Sequence, residues 1–128
     1  ISIHCNLTAE TKHLVNAKRM SLMPGKKSGI TCGNHIVNCA RGGIIDEDAL
    51  LDALNNGTIT SAALDVFEIE PLPEDYELIQ HQNFHGTPHI GAATLEAQQR
   101  VGIDISKTII ECLNGGLPKT IVNKEFLI

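Results

Sequence analysis

The sequence predicts an α/β fold, one half of a doubly wound parallel sheet. Three observations carry that reading. Strand-like and helix-like stretches follow one another in the order strand, helix, strand, helix, strand, loop, strand, helix, the pattern of a parallel sheet with right-handed crossovers. Aromatic residues make up only 3% of a chain that is 42% hydrophobic, so the core must come from Ile, Leu, Val and Ala, which favours α/β layers over an aromatic-rich sandwich. The length, 128 residues, suits one compact domain and is short for two.

Each element has a local cause. Ile1-Ser2-Ile3-His4-Cys5 is a short β-prone run that Asn6-Leu7-Thr8 ends. It reads as a strand entered midway, without an initiator Met, so the chain is expected to be a piece of a longer one. Asn16 is placed to cap a helix over Ala17–Met23, which Pro24-Gly25 would stop. Gly25 to Asn34 is loop-like, with three glycines and the Lys26-Lys27 pair, and His35–Asn38 restores a strand. Asp46-Glu47-Asp48 opens a second helix with negative charge where the macrodipole and free N–H groups favour it. Leu50, Ala53 and Leu54 form its apolar stripe, and Gly57 is its expected stop.

Ser61–Phe67 is the next strand, apolar almost without break up to Asp65, as expected for a strand buried on both faces. A Pro- and Glu-rich loop leads to a short strand near Asn83–Thr87. A long helix from about Thr94 to Leu113 follows, with Val101, Ile105, Ile109 and Leu113 marking a stripe expected to be buried, and Gly115-Gly116 ending it.

Charge and cysteine usage narrow the function classes. The net charge is −5 and the basic residues are scattered, which gives no electrostatic footprint for nucleic acid or an anionic membrane. No apolar run is long enough to span a bilayer. Cys5, Cys32, Cys39 and Cys112 are far apart and form no C-x-x-C pair, so reduced thiols in a cytoplasmic protein are expected, serving as small core or cofactor-lining residues.

Ligands of such sheets bind beyond the carboxyl ends of the strands. Three of those ends carry chemically capable residues: Asn38-Cys39-Ala40-Arg41-Gly42-Gly43, Asp65-Val66-Phe67-Glu68-Ile69-Glu70-Pro71 and Thr87-Pro88-His89-Ile90-Gly91. Taken singly, the Arg reads as a solvated loop charge, Glu-Pro as a turn and the His as structural. Their joint placement changes that weighing. A metal site is not expected. His81, His85 and His89 are four apart, but Gly86 and Pro88 oppose a helix there, and in extended chain such a spacing covers roughly 13 Å.

In this order and spacing the three segments resemble the catalytic signatures of the D-isomer-specific 2-hydroxyacid dehydrogenase family. Val37-Asn38-Cys39-Ala40-Arg41-Gly42-Gly43, Pro88-His89-Ile90-Gly91-Ala92-Ala93-Thr94, the following Glu96-Ala97-Gln98 and the closing Ile121-Val122-Asn123 are most similar to its D-3-phosphoglycerate dehydrogenase branch. The resemblance covers nearly the whole chain. It implies the second half of a Rossmann-type doubly wound sheet ending in a long crossover helix. Residues 1–114 would be part of an NAD-binding domain, and residues 115–128 a return segment towards a substrate domain.

The resemblance also implies roles. Arg41 would grip the substrate carboxylate and polarise the neighbouring carbonyl, His89 would be the general acid/base, and Glu70 would orient its ring and favour its charged form. Asp65 would contact the nicotinamide end of NAD, with Cys5, Cys39, Ala40, Arg41, His89, Gly91 and Ala92 lining the cofactor. The implied activity is NAD-dependent oxidation of a small 2-hydroxyacid to the 2-keto acid, 3-phosphoglycerate first, in a homodimer. A glyoxylate/hydroxypyruvate reductase or D-lactate dehydrogenase of the same family is the alternative, and an NADH-sensing corepressor-like module a rival of another class.

The chain departs from the family pattern at three places. No G-x-G-x-x-G motif, nor the acidic residue that follows it, occurs in the chain, so pyrophosphate and adenosine-ribose contacts are not expected from it. Asn6 stands where the family usually has Pro. The stretch Pro24–Asn34 is longer than usual.

Overall fold

The computed structural model describes residues 1–25 and 33–123. They form β1 (Ser2–Ile3), α1 (Ala17–Ser21), β2 (His35–Asn38), α2 (Glu47–Asn55), β3 (Ser61–Leu64), α3 (Glu77–Gln80), β4 (Phe84–Gly86) and α4 (Leu95–Leu113). Two compact units divide between Gly91 and Ala92. Lys26, Lys27, Cys32 and most of the long Pro24–Asn34 stretch lie outside the described residues.

The first unit is a four-stranded sheet in the order β1-β2-β3-β4, parallel throughout. Consecutive parallel neighbours joined by right-handed crossovers place their connecting helices on one face. Accordingly α1 packs beside α2, and α2 beside α3. The helix ends obey local chemistry. The Asn16 side chain accepts from the Arg19 N–H at 3.2 Å, and that of Asp46 from the Ala49 N–H at 3.0 Å. Gly57 closes α2 at φ +77°, a backbone open to glycine without strain. α1 stops at Ser21, two residues before the predicted end, because the Leu22 N–H turns back to the Arg19 carbonyl ahead of Pro24.

The core lies between the helices and one sheet face. Met20, Ile36, Ile44, Ile45, Leu50 and Ile59 are at most 1% exposed, joined by Leu54, Leu64 and Phe84. The predicted stripe Leu50, Ala53 and Leu54 is buried. Two expectations need correction. β3 is not buried on both faces: Ala62 and Leu64 are buried, whereas Ser61 and Ala63 are half-buried. The row Ser2, Val37, Ala63 and His85, aligned by register, lies on the face without helices from this unit. Regular pairing also ends at Leu64 opposite Gly86, short of the predicted Phe67. Within the Pro- and Glu-rich stretch, α3 is a single turn pinned by the buried Leu78, too short for periodicity to reveal.

The second unit holds α4. The Thr94 side chain caps it by accepting from the Ala97 N–H, and Gly115 at φ +78° ends it. Its predicted buried stripe is exposed: Val101, Ile105, Ile109 and Leu113 are 66%, 54%, 52% and 81% accessible. Helical spacing identifies an apolar face, but burial needs a partner surface, and the described residues of this unit supply none. Cys112, on the same helix, is exposed and is not a core residue. No helix among the described residues is long and apolar enough to cross a membrane.

Leu50 sits at the centre of the core with no exposed surface. Leu50→Ala should cost about 3 kcal/mol of unfolding free energy in urea, the loss of a buried side chain plus the cavity left behind. A loss below about 1 kcal/mol would show that the helix face is not packed as described.

Candidate functional site

The site begins at the end of β3 with Asp65, which is 6% exposed. A carboxylate removed from water needs donors, and the next strand end provides them. Its Oδ1 accepts from the Thr87 hydroxyl at 2.5 Å and the Ile90 N–H at 2.9 Å; its Oδ2 accepts from the Gly91 N–H at 2.8 Å. Burial pushes the Asp65 carboxyl up, but these three bonds, with the charge of His89, outweigh it and hold it below the usual carboxylate range.

Collecting two successive N–H groups bends the backbone just before them. His89 sits at φ +55°, a left-handed conformation unusual for a residue with a side chain. In that setting its Nδ1 meets Oε2 of Glu70 at 2.7 Å. The other oxygen of Glu70 accepts from the Phe67 N–H at 2.9 Å. The bond to His89, then the Phe67 N–H, hold the Glu70 carboxyl below its ordinary value. The side chains of His89 and Glu70 remain 48% and 36% accessible, so a small ligand has open access to the pair. With Nδ1 committed, Nε2 is the nitrogen left for a reacting group.

The end of β2 is shaped by Asn38, 1% exposed. Its side chain donates to the Arg41 carbonyl at 2.9 Å and accepts from the Ala40 N–H at 3.0 Å, which folds Cys39, Ala40 and Arg41 into a tight turn. The Arg41 guanidinium is exposed and donates to the Ala40 carbonyl at 2.6 Å. A cavity of about 270 Å³ here is lined by His4, Cys5, Asn6, Cys39, Ala40 and Arg41. Cys5 is half-buried and packs against the core, and Cys39 is exposed.

Gly42 joins the two strand ends. A Cβ there would stand 1.8 Å from the Phe67 carbonyl oxygen, so the Arg41 turn and the loop leading to Glu70 touch backbone to backbone. No other residue permits that approach.

The predicted residues therefore fall in two groups. Asp65, Glu70, His89 and Gly91 meet directly, while Cys5, Cys39, Ala40 and Arg41 share the neighbouring cavity, and the Gly42–Phe67 contact couples the groups. No ion pair links Arg41 to Glu70 among the described residues, and Ala92 opens the second unit. Sequence reasoning missed the supporting roles of Asn38 and Thr87. Their signal was a polar residue opening each of these two segments. His81 accepts from the Asn83 N–H and His85 lies in β4; the described residues contain no cluster of three or more metal-ligating side chains.

Residues 1–91 match the family profile described as D-isomer specific 2-hydroxyacid dehydrogenase, NAD binding domain. D-3-phosphoglycerate dehydrogenase 3, chloroplastic, of Arabidopsis thaliana is 46% identical over 123 residues, 96% of this chain and 20% of that protein. Glyoxylate reductase of Thermofilum pendens is 44% identical over 127 residues, 99% of this chain and 35% of that protein. The chain thus spans between a fifth and about a third of these relatives. The NAD-complexed D-isomer specific 2-hydroxyacid dehydrogenase of Lactobacillus delbrueckii ssp. bulgaricus superposes with a TM-score of 0.79 at 30% identity, over 95% of this chain and 39% of that one.

Because the carboxyl of Asp65 is held below its ordinary value of 3.8, the stability it contributes is present above that pH and is lost as pH falls through the depressed native value. Asp65→Asn keeps one acceptor and loses the charge. At neutral pH it should cost about 2–3 kcal/mol in urea denaturation, and the gap to the native chain should close in acid. A gap that stays constant down to about pH 2 would show that the charge does not hold the loop.

Proposed function

The chain belongs to the D-isomer-specific 2-hydroxyacid dehydrogenase family, within its NAD-binding domain, and from that premise we propose that Arg41, Glu70 and His89 are the reacting end of such an enzyme. The observation that carries the proposal is the 2.7 Å bond from His89 to Glu70, formed on a left-handed backbone that Asp65 clamps. The bond commits Nδ1 and leaves Nε2 for the substrate oxygen. His89 removes the hydroxyl proton as the 2-hydroxyacid is oxidised and returns it in the reverse direction, while Glu70 balances the imidazolium charge. Arg41 offers a planar pair of donors to the substrate carboxylate and draws electron density from the adjacent carbonyl oxygen.

The residues present fit the nicotinamide end of the cofactor. Cys39 and Ala40 are short, Cys5 lines the same cavity, and the second lone pair on Oδ2 of Asp65 remains for an amide donor. Held there by these residues, NAD would supply the hydride acceptor for C2, or the hydride donor in the reverse direction. The phosphate-binding glycine motif is not among the 128 residues, so residues 1–114 serve as part of the nucleotide domain and the rest as the return towards a substrate domain. In that longer enzyme, working in the cytoplasm as a homodimer, the substrate is 3-phosphoglycerate, supported by the branch-specific runs around Arg41 and His89. Glyoxylate or hydroxypyruvate reduction is the second reading, supported by relatives bearing those names at 44% and 43% identity.

Two measurements test this. The 128 residues alone should show negligible reduction of 2-keto acids with NADH; clear turnover would contradict the division of labour. In a chimera carrying residues 1–123 in place of the matching segment of Bacillus subtilis D-3-phosphoglycerate dehydrogenase, His89→Gln should lower kcat by about 10²–10⁴-fold. Arg41→Ala should raise KM for the keto acid as well as lower kcat. Retention of native kcat by the His89 variant would remove it from the mechanism. A panel of 2-keto acids offered to the longer protein decides the substrate, and inactivity on phosphohydroxypyruvate would exclude the first choice.

A further inference from the structure

Two carboxylates are buried among the described residues. Asp65 belongs to the site. The other, Glu47, is the first residue of α2 and is also 6% exposed. Its sequence position suggests a partner for the helix dipole, but its contacts are elsewhere. Oε1 accepts from the Glu68 N–H at 2.8 Å and Oε2 from the Tyr76 hydroxyl, groups 21 and 29 residues further along the chain. Burial pushes the Glu47 carboxyl up, and these two donors only partly offset it. A buried carboxylate is costly unless its bonds recover the lost hydration, and an apolar residue of similar volume is often tolerated as well or better. What Glu47 adds over an apolar residue is a pair of directional acceptors.

One of them acts on a peptide group beside the site, and the other holds the Tyr76 hydroxyl. The plane between Phe67 and Glu68 has its carbonyl pressed on Gly42 and its N–H bound by Glu47. The N–H of the preceding plane, that of Phe67, is the anchor of Glu70. Tyr76 meets the Phe67 ring edge-on, with centroids 6.3 Å apart, so the same two residues brace both sides of the turn. His13 adds an outer tie, with Nε2 at 2.8 Å from Glu68 Oε1.

We propose that Glu47 is a positioning residue for the Glu70–His89 pair: it fixes the Phe67–Glu68 peptide so that the Glu70 carboxylate reaches His89 in one orientation. Its consequence for turnover rests on the reading of His89 as the proton-transfer group; its consequence for the geometry does not.

The test reads the pair directly. Carbon-13 NMR titration of the Glu70 carboxyl in the 128-residue chain should show it below 4.5 in the native sequence, with His89, Asp65 and the Phe67 N–H as the groups that face it. Glu47→Met, an apolar replacement of similar size, should move the Glu70 titration back towards 4.5. Glu47→Gln, which keeps an acceptor for Glu68, should retain most of the depression. If Glu47→Met alone fails to fold, the double variant Glu47→Met/Tyr76→Phe removes the stranded hydroxyl and is expected to show the same shift.

In the chimera, Glu47→Met should lower kcat by about tenfold or more with KM for NADH unchanged, and Glu47→Gln should restore most of it. A folded Glu47→Met chain whose Glu70 titrates as in the native sequence overturns the proposal and leaves Glu47 a packing residue. A shifted titration with His89→Gln fully active supports the positioning role and refutes the catalytic reading instead.

Discussion

The placement of His89 against Glu70 depends on the buried carboxylate of Asp65. β3 delivers it to the mouth of the sheet, where it has lost most of its water and must be paid back in hydrogen bonds. The nearest donors are the N–H groups just past β4, and gathering two of them in succession forces the residue before them to φ +55°. A left-handed residue with a side chain costs on the order of 1 kcal/mol, which two or three charge-assisted bonds exceed. The strain therefore has a specific product: it turns a histidine out of the strand direction and onto a carboxylate from a neighbouring loop.

What the sequence revealed and what it hid divide along one physical line, local against tertiary. The caps at Asn16, Asp46 and Thr94 were legible because a cap is satisfied within three residues of itself. β2 was legible to the residue, bounded by Asn34 and the Cys39 turn. The three reactive segments were legible because each sits directly after a strand. Glu47 was misplaced because the local rule accounts for an acid in a first helical turn so readily that nothing prompts a search for partners 21 and 29 residues away. Asn38 and Thr87 were overlooked for a similar reason: each spends its side chain on groups that only the folded loop brings near.

The two misjudged apolar surfaces have a common origin. In β3 the run Ala62-Ala63-Leu64 looks continuous in sequence, yet alternate residues face opposite sides, and helices of the first unit cover only one. In α4 the spacing of Val101, Ile105, Ile109 and Leu113 states which side is apolar and says nothing about what meets it. Composition and periodicity encode the demand for burial. Supply is a property of the assembled protein, and this chain spans only 20% and 35% of two relatives it matches well. Apolar faces of this extent are ordinary within a larger fold and a source of association outside one.

The energetics also separate chemistry from support. The His89–Glu70 pair is too exposed to contribute much to stability, since ion pairs in water are worth about 0–1 kcal/mol. An interaction that weak cannot position itself. Its geometry has to be imposed by stronger, drier contacts behind it: Asp65 on the backbone beside His89, Glu47 and Gly42 on the peptide beside Glu70's anchor. This arrangement lets the side chains of His89 and Glu70 stay open to a ligand and to proton exchange while their positions are set from the interior. It also separates the supporting residues from the exposed pair they position: the two sets are different residues, joined through the backbone amides of Phe67, Glu68, Ile90 and Gly91.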